Sequence, residues 1–268
     1  MSVRERRAEA ATRKSSPMKA PGLPLRPAVE LAVTESAAFA IPSVIGAEVA
    51  RALAEEIITL RLEPASRLTE EEVCGRYGVS RSPVREAFKM LEADGLIVRS
   101  ARRGVRVTPM SRRDLDEVYT CRAALEGLAA AGAARSADRE VDSELSRLIE
   151  ALDIAITSRT APEFFEHSVA FTSAIHRHSG NRTLTRMLEG IDKQARRYRY
   201  LAHTWTHEML EVSLQNYREV AEAIALRNGP MAQRRATRMI RRAHAVIARA
   251  LTEAYPGLEE DEGAEQPR

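Results

Sequence analysis

The spacing of apolar residues divides the chain into an irregular first segment and a long remainder with helical periodicity. Residues 1–43 are rich in Ala, Arg, Pro and Ser and show no regular apolar repeat, so we expect a disordered N-terminal arm. From residue 45 onward, apolar residues recur every three or four positions, which is the spacing of one helix face. The first stripe consists of Val49, Leu53, Ile57 and Leu60. It predicts one helix before a break at residues 63–66.

Two shorter helices are predicted after this break. Thr69 is followed three residues later by Glu72, a capping-box pattern that marks a helix start, and Gly78 marks the end of that helix. The next helix is predicted over about residues 81–94. Ser80 is expected to be its N-cap, with a hydroxyl that accepts a hydrogen bond from a backbone N–H of the first turn.

A β-hairpin is predicted next in the chain. Residues 96–99 and 105–108 are rich in apolar and β-branched residues, and a short loop ending in Gly104 joins them. Three helices followed by a hairpin are typical of a winged helix-turn-helix, here over residues 44–110.

Every segment beyond this hairpin is predicted to be helical. Six antiparallel helices with short loops predict an all-α bundle over residues 111–256, followed by an acidic tail at 257–268. Thr160 and Glu163 suggest a second capping box at the start of one of these helices. The apolar stripes expected to face the core are Leu115, Val118, Leu125 and Leu128 in the first bundle helix, and Ala236, Met239, Ile240, Ala243, Ile247 and Leu251 in the last. The predicted fold class is therefore mostly α, with a small β-hairpin as the wing.

The composition narrows the class of protein further. The chain has 41 Lys and Arg against 38 Asp and Glu, a net charge of +3, so affinity for nucleic acid must arise from local clusters. The two cysteines, Cys74 and Cys121, are too few for a disulfide framework or a cysteine-based zinc site. The sequence shows no run of 18 uncharged apolar residues and no signal-peptide pattern, so we expect a soluble, cytoplasmic protein that does not contact a membrane.

The helix predicted at residues 81–94 has a cationic face that suits DNA. Its opposite face, with Val84, Phe88 and Leu91, should pack inward. An arginine on the exposed face can pair bidentately with guanine, and neighbouring hydroxyls suit phosphate oxygens. The loop of the hairpin places further arginines where a wing can approach the minor groove. The candidate DNA-binding residues are Ser80, Arg81, Ser82, Arg85, Lys89, Arg102, Arg103 and Gly104.

The stretch VSRSPVREA, followed by DGL and then by RRGVRV, closely resembles the N-terminal domain of GntR-type transcription regulators. The resemblance covers residues 45–109. It implies that Arg81 and Arg85 contact bases or nearby phosphates. One departure is Glu71, because fatty-acid-responsive members of the family have an arginine at this position, so that base contact is not implied here.

The helical part, from about residue 111 to 255, resembles the FCD effector-binding domain of the FadR subfamily. The resemblance is carried by DLDEVYTCRAALEGLAAAGAA, FTSAIHRHSGNRTL and VAEAIALRNGPMAQRRATRM. Most members hold a divalent metal with one Asp and three His, and the metal binds a small carboxylate. In this chain the four positions carry Ser168, Thr172, Tyr217 and Met239, none of which is a good ligand for such a metal. The resemblance therefore predicts an effector domain without the metal cofactor.

The histidines leave an alternative metal site open. His203 and His207 are spaced as i and i+4, which suits zinc on a regular helix, and His167 adjoins the position of the family's Asp. Any of the three could belong to a non-standard metal site.

Without a metal, an anionic effector needs a cation from the protein. Arg122 lies on the inward side of the first bundle helix, and Arg196 to Arg199 form a cluster that we interpret mainly as surface or interhelical ion pairs. The candidate effector-binding residues are Arg122, Ser168, Thr172, Arg197, Tyr217 and Met239.

These patterns, together with the resemblance to GntR-type regulators, imply a sequence-specific, homodimeric repressor. Two basic helices related by a two-fold axis read a palindromic operator in double-stranded DNA, and a small molecule in the bundle modulates binding. The resemblance implies an organic or sugar acid as this effector. The alternatives are an acyl or other non-carboxylate ligand, an enzyme built on the bundle, and a DNA-binding protein without an effector. The sequence shows no Ser/His/Asp arrangement, phosphate-binding glycine loop or HExxH run, which argues against the enzyme.

Overall fold

The computed structural model describes residues 42–100, 103–136, 139–205 and 207–256. Residues 1–41 of the arm predicted at 1–43, and the acidic tail at 257–268, lie outside the described residues, whereas residues 42 and 43 belong to the first helix rather than to the arm. The elements along the chain are α1 (Pro42–Ile58), β1 (Arg67–Leu68), α2 (Glu70–Tyr77), α3 (Arg81–Ala93), β2 (Ile97–Ser100), β3 (Gly104–Val107), α4 (Arg112–Arg135), α5 (Glu140–Thr157), α6 (Ala161–His178), α7 (Arg182–Trp205), α8 (His207–Ala225) and α9 (Gly229–Ala254). They confirm a mostly α protein with a winged helix-turn-helix and an all-helical part.

Helices α1, α2 and α3 enclose one apolar core with the sheet. Val49, Leu53 and Ile57 of α1 are buried, as their spacing predicted, in the same cluster as Phe88 and Leu91 of α3. Helix α1 starts at residue 42, three residues before its expected start. This core fixes the orientation of α3, whose exposed face carries the candidate DNA-binding residues.

The wing is a three-stranded antiparallel sheet in the order β1-β3-β2. Strands β2 and β3 form the predicted hairpin, with Ile97 opposite Val107 and Ser100 opposite Gly104. Strand β1 joins the other side of β3 and was not predicted, because two residues are too short to show an alternating pattern.

The helix caps agree only in part with the sequence patterns. The capping box is confirmed, since Thr69 Oγ1 accepts from the Glu72 N–H at 3.2 Å and the Thr69 N–H donates to Glu72 Oε2 at 3.2 Å. Gly78 ends α2 in the left-handed conformation, with φ +64°. Ser80 is the N-cap residue of α3, as predicted, but the predicted capping hydrogen bond is wrong, because its side chain makes none. Pro83, the third residue of α3, has no N–H to offer it.

The second predicted capping box is also wrong. Thr160 occupies the N-cap position of α6, but its side chain makes no capping bond. Its hydroxyl donates instead to the Glu163 carboxylate at 2.9 Å. Pro162, the second residue of α6, removes one of the N–H groups that an N-cap side chain ordinarily binds.

Helix α4 lies at the centre of the bundle, in contact with α6, α7, α8 and α9. Its predicted apolar stripe is partly wrong, because Leu125 is half-buried and Leu128 is 49% exposed. A Cβ at Gly127 would lie only 2.5 Å from Thr237 Oγ1, so glycine lets α4 and α9 approach closely. The close approach turns other residues of α4 inward, among them Tyr119 and the charged residues described below. The apolar stripe predicted for α9 faces the core, although Ala243 is only half-buried.

Gly132 brings α4 directly against the turn between α6 and α7. A Cβ at this position would overlap the carbonyl oxygen of Ser179, which is backbone and cannot rotate away. We expect Gly132→Ala to lower the free energy of unfolding by about 1–3 kcal/mol, measured by urea denaturation. Gly190→Ala in α7 is the control, because a Cβ there meets nothing within 4 Å, and it should raise stability by up to about 1 kcal/mol. Equal effects of the two substitutions would contradict this packing.

A linker clamp joins the bundle to the winged helix; it consists of Arg197 and Tyr198 of α7 with the backbone of residues 108–111. The Arg197 guanidinium donates to the carbonyl oxygens of Thr108 at 2.5 Å and Pro109 at 3.0 Å. The Tyr198 hydroxyl accepts from the Ser111 N–H at 3.2 Å. Arg197 is only 3% exposed, so the interpretation of this residue as part of a surface ion pair is wrong.

Two further contacts hold the winged helix against the bundle. Lys193 of α7 pairs with Asp94, the C-cap of α3, at 2.7 Å. The end of α1 packs into the bundle through Ile58, which forms a small apolar cluster with Phe165 and Val169. None of the described helices combines the length and the apolar character needed to cross a membrane.

Candidate DNA-binding surface and effector cavity

Helix α3 presents its polar face to solvent. Val84 and Phe88 on its other face are fully buried. Cations at a helix N-terminus are disfavoured by the helix dipole, and a bound phosphate reverses that balance. The predicted residues on and before this helix are all exposed: Ser80, Arg81, Ser82, Arg85 and Lys89. The structure therefore brings these five side chains to one surface that is suited to an anionic polymer.

Arg85 is oriented by Glu70, the first residue of α2. Its Nε donates to both carboxylate oxygens, at 3.0 and 3.1 Å. Within the described residues neither Nη nitrogen of Arg85 has a hydrogen-bond partner, and the side chain is 59% exposed. A guanidinium held at Nε in this way keeps its two terminal nitrogens for O6 and N7 of a guanine.

The remaining candidates make weaker or no contacts within the protein. Lys89 pairs with Glu86 at 2.9 Å, but the Lys89 side chain is 69% exposed, so a phosphate can replace this partner easily. In the wing, Arg103 is exposed and Gly104 has φ +72° with open space around it. Arg102 lies outside the described residues.

A small cavity lies inside the bundle, with walls from α4, α6, α7, α8 and α9. Its volume is about 30 Å³, which is room for roughly one or two water molecules. Ser168 lies behind the wall, where its Oγ accepts from Arg199 Nη2 at 3.0 Å, and Arg199 itself lines the cavity. Arg197 is not in the wall but in the linker clamp. The predicted effector residues that line the cavity are Arg122, Thr172, Tyr217 and Met239.

Beside the cavity, buried charged residues form a network that the sequence analysis missed. Arg122 Nη2 and Glu126 Oε1 are 2.9 Å apart, and the other Glu126 oxygen lies 2.9 Å from His176 Nε2. Arg199 Nη1 donates to Asp192 Oδ1 at 3.0 Å. All five residues are at most 5% exposed. One feature of the sequence could have revealed this network. Arg122 and Glu126 are four residues apart, on a side of the helix that was predicted to face inward.

The ionisation of this network follows from burial and neighbouring cations. Burial alone would raise the pKa of Glu126, but His176 and Arg122 lower it to about 2. Burial likewise opposes ionisation of Asp192, and Arg199 with Arg122 lowers its pKa to about 2. Both groups are therefore carboxylates at neutral pH, and they balance the charge of the two arginines.

Two further groups of the cavity wall are neutral. Burial, with a smaller contribution from Arg199, lowers the pKa of His203 to about 3, so its imidazole is uncharged at neutral pH. Burial raises the pKa of Tyr119 to about 12 and keeps its hydroxyl protonated.

The four positions that hold the metal in most FCD domains do not fit a divalent cation here. Ser168 is bonded to a guanidinium and the Thr172 hydroxyl donates to the Val169 carbonyl at 3.1 Å, while Tyr217 and Met239 offer poor ligand atoms. Arg122 and Arg199 add two positive charges to the same cavity. We therefore derive no role for a metal at these positions.

The histidines proposed for a non-standard site do not assemble one among the described residues. His203 lies in the cavity wall and His167 is half-buried elsewhere on α6, while the His207 side chain lies outside the described residues. Within the described part of the chain no group of three or more His, Cys, Asp or Glu side chains could hold a metal ion.

A winged helix with a cationic recognition helix, joined to a helical domain with an internal cavity, is typical of a DNA-binding regulator. Two family descriptions match the chain: "Bacterial regulatory proteins, gntR family" over residues 45–107, and "FCD domain" over residues 117–242. The chain belongs to the GntR family, with an FCD domain as its helical part, and it is a DNA-binding transcription regulator.

Related proteins are also named as transcription regulators. The chain is 32% identical to an uncharacterised HTH-type transcriptional regulator, YdhC, of Bacillus subtilis, over 62% of this chain and 74% of that protein. It is 31% identical to the gluconate operon transcriptional repressor of Bacillus licheniformis, over 49% of this chain and 54% of that protein. It is 28% identical to the repressor RspR of Escherichia coli, over 72% of this chain and 84% of that protein.

Solved structures share the fold. McbR/YncC of E. coli superimposes with a TM-score of 0.68 at 22% identity, over 76% of this chain and 97% of that one. A GntR-type regulator from Rhodococcus sp. RHA1 superimposes with a TM-score of 0.65 at 25% identity, over 75% of this chain and 96% of that one. The arrangement of a winged helix followed by a helical bundle therefore occurs in other GntR regulators.

Proposed function

We propose that this regulator is a cytoplasmic, homodimeric repressor that binds a palindromic operator and responds to a small molecule in the cavity of its bundle. The observation that carries this proposal is the position of α7. This helix contributes Arg199 and His203 to the cavity and Arg197 and Tyr198 to the linker clamp. One rigid element therefore touches both the effector cavity and the connection to the DNA-binding domain.

The small volume of the cavity suggests how a ligand acts on DNA binding. A molecule larger than one or two waters has to push the walls apart, which favours a second arrangement of the helices. Displacement of α7 moves the linker clamp, and also Lys193, which is bonded to the end of α3. Such coupling typically changes affinity by about 1–3 kcal/mol, or severalfold to about a hundredfold.

Repression is the sign of regulation that the relatives support. The gluconate operon proteins and RspR are named as repressors. A repressor needs only to occupy its site against the transcription machinery, which two cationic helices in adjacent major grooves can do.

An enzymatic role for the bundle finds no support in the cavity. His203 is the histidine of the wall, and a pKa of about 3 makes it a poor general base at neutral pH. The matching families and relatives are all regulators rather than enzymes.

Selection of duplexes from a random library by the full-length protein tests the proposal. We expect a palindromic site, a dimer in sedimentation analysis, and an affinity that falls steeply with salt. Each phosphate contact contributes about −0.9 to the slope of log K against log salt concentration. Failure to enrich any sequence, or an affinity independent of salt, would contradict operator binding. A monomer bound to a single half-site would contradict only the dimer.

A further inference from the structure

Three buried polar atoms of the cavity wall have no hydrogen-bond partner within the described residues: the Tyr119 hydroxyl, Arg122 Nε and His203 Nδ1. Their residues are at most 5% exposed, so bulk water does not satisfy them. Buried polar atoms in native proteins are ordinarily paired, and three of them around one cavity offer hydrogen bonds to a polar headgroup that enters it. Two of the three are donors, because the Tyr119 hydroxyl is protonated and Arg122 Nε carries a hydrogen.

The charge of the wall sets the sign of that ligand. Arg122, Arg199 and Arg242 line the cavity, and no Asp or Glu does among the described residues. Glu126 and Asp192 balance the first two arginines from behind. Arg242 is bonded to a neutral group, the side-chain oxygen of an asparagine, at 2.9 Å. Arg242 is exposed to solvent, so its charge is screened. Among the described residues the wall as a whole still carries no negative charge, which admits an anionic headgroup and disfavours a divalent cation.

The remainder of the wall sets the shape of the ligand's body. Most of the remaining wall is aliphatic or thioether: Ala202, Met209, Val212, Met239, Ile240, Ala243, Val246 and Ile247. The polar members of the wall are Thr172, Ser213, Asn216 and Tyr217. Thr172 and Asn216 already use their side chains in hydrogen bonds within the protein, so the hydroxyl groups of a sugar acid would lose water here and gain few partners, which is unfavourable. An aliphatic or aromatic body has no hydrogen bonds to water to give up, and the flexible methionines can move aside to enlarge the cavity.

We propose that the effector is a monocarboxylate with an apolar body, bound without a metal ion by Arg122 and the Tyr119 hydroxyl. This inference rests on the proposed function, in which the cavity takes the effector. It differs from the metal-assisted binding that most FCD domains use, because guanidinium and phenol donors here meet the carboxylate directly. His203 completes the headgroup site as a neutral hydrogen-bonding group.

Calorimetric titration of EDTA-treated full-length protein tests the inference with four probes. We expect hexanoate and benzoate to bind. Hexanamide, which lacks the charge, and gluconate, which carries hydroxyl groups, should bind at least about tenfold more weakly. Addition of Zn²⁺, Ni²⁺ or Mn²⁺ should leave the affinities unchanged. Binding of carboxylates only after a metal is added would overturn the inference, and equal binding of hexanamide or gluconate would overturn the ligand class.

Tyr119→Phe separates ligand recognition from folding. The substitution removes a hydroxyl that has no partner in the described residues, so the thermal stability of the free protein should not fall. Hexanoate affinity should fall by about fivefold or more. Tyr200→Phe is the matched control on a half-buried tyrosine outside the wall, and it should leave hexanoate affinity unchanged. An unchanged affinity in Tyr119→Phe would overturn the headgroup site.

Failure of this inference is distinguishable from failure of the proposed function. If none of the four probes binds but the protein still selects a palindromic duplex, the ligand class is wrong and the regulator stands. If the probes bind as expected but change operator affinity by less than twofold, the cavity binds carboxylates without regulating DNA. The expected result is a change of operator affinity in the presence of saturating hexanoate or benzoate.

Discussion

Replacing Arg85 by alanine is expected to abolish specific operator binding while the protein stays folded. The Arg85 side chain is 59% exposed, so its removal takes nothing from the core, and alanine suits the helix. A bidentate arginine–guanine contact contributes about 1–3 kcal/mol of discrimination between bases. Because the proposed dimer would lose this contact in both half-sites, the total expected loss is about 2–6 kcal/mol.

Fluorescence anisotropy with the operator and with a scrambled duplex measures this loss. Arg218→Ala is the control, because it removes the same charge from the bundle surface, where Arg218 pairs with Asp153 at 3.1 Å. We expect the control to bind the operator within about twofold of the parent, since exposed charges far from DNA act mainly through screened interactions. If Arg85→Ala weakens operator and scrambled duplex equally, Arg85 contacts phosphate rather than a base. If it behaves like the control, α3 is not the recognition helix.

The second large effect is expected from Glu126→Leu. The Glu126 carboxylate is 2% exposed and holds both Arg122 and His176 at 2.9 Å. Its removal leaves a buried guanidinium without its nearest counter-charge. Breaking a buried ion pair in this way costs about 3–5 kcal/mol, which we expect as a loss of unfolding free energy in urea.

The matching substitution of an exposed glutamate is the control for this loss of stability. Glu55 of α1 pairs with Arg61 at 3.1 Å, and both side chains are more than half exposed. Glu55→Leu should therefore cost less than about 1 kcal/mol. Adding Arg122→Met to Glu126→Leu should recover part of the lost stability, because no buried guanidinium remains to be compensated. Equal losses for Glu126→Leu and Glu55→Leu would show that the network is not buried in solution.

The same network should make the stability of the parent protein fall in acid. The pKa values of Glu126 and Asp192 are about 2 in the folded state, below their ordinary value near 4. Their contribution is fully present above pH 4 and disappears as the pH falls toward 2. His203, with a folded pKa of about 3, adds a loss that begins near pH 6.5, where the unfolded chain takes up a proton. Glu126→Leu should flatten the part of the profile below pH 4.

Local signals in the sequence were sufficient for the three helices and the hairpin of the winged helix, but not for strand β1. The capping box of Thr69, the left-handed Gly78 and the glycine of the wing each act within a few residues, so their effect is visible in the chain itself. Ser80 shows the limit of such signals. The residue type suggested a capping bond, but Pro83 withdraws one of the N–H groups that would take part, which leaves the hydroxyl free for DNA.

The interior of the bundle could not be predicted in full, because it is formed by contacts between residues that are far apart in the sequence. Leu128 was expected in the core, but glycines in α4 allow closer contact on a different face and leave this leucine at the surface. Asp192 and Arg199 carry charges, which ordinarily indicate a solvated face of a helix. They are buried because α4 and α6 supply their partners, Arg122 and Ser168, from distant parts of the chain. The cavity likewise forms only where the five helices come together, although four of the residues that line it were predicted from the sequence to bind the effector.

The linker clamp recognises backbone rather than side chains. Arg197 binds the carbonyl groups of residues 108 and 109, and Tyr198 binds backbone atoms of Ser111, so neither depends on which side chains the linker carries. A DNA-reading domain with a different recognition helix can therefore be held in the same orientation, provided that its linker follows the same path. Operator preference and effector preference can then change independently during evolution. For the same reason, the junction at residues 108–111 is a suitable place to exchange DNA-binding domains between engineered regulators.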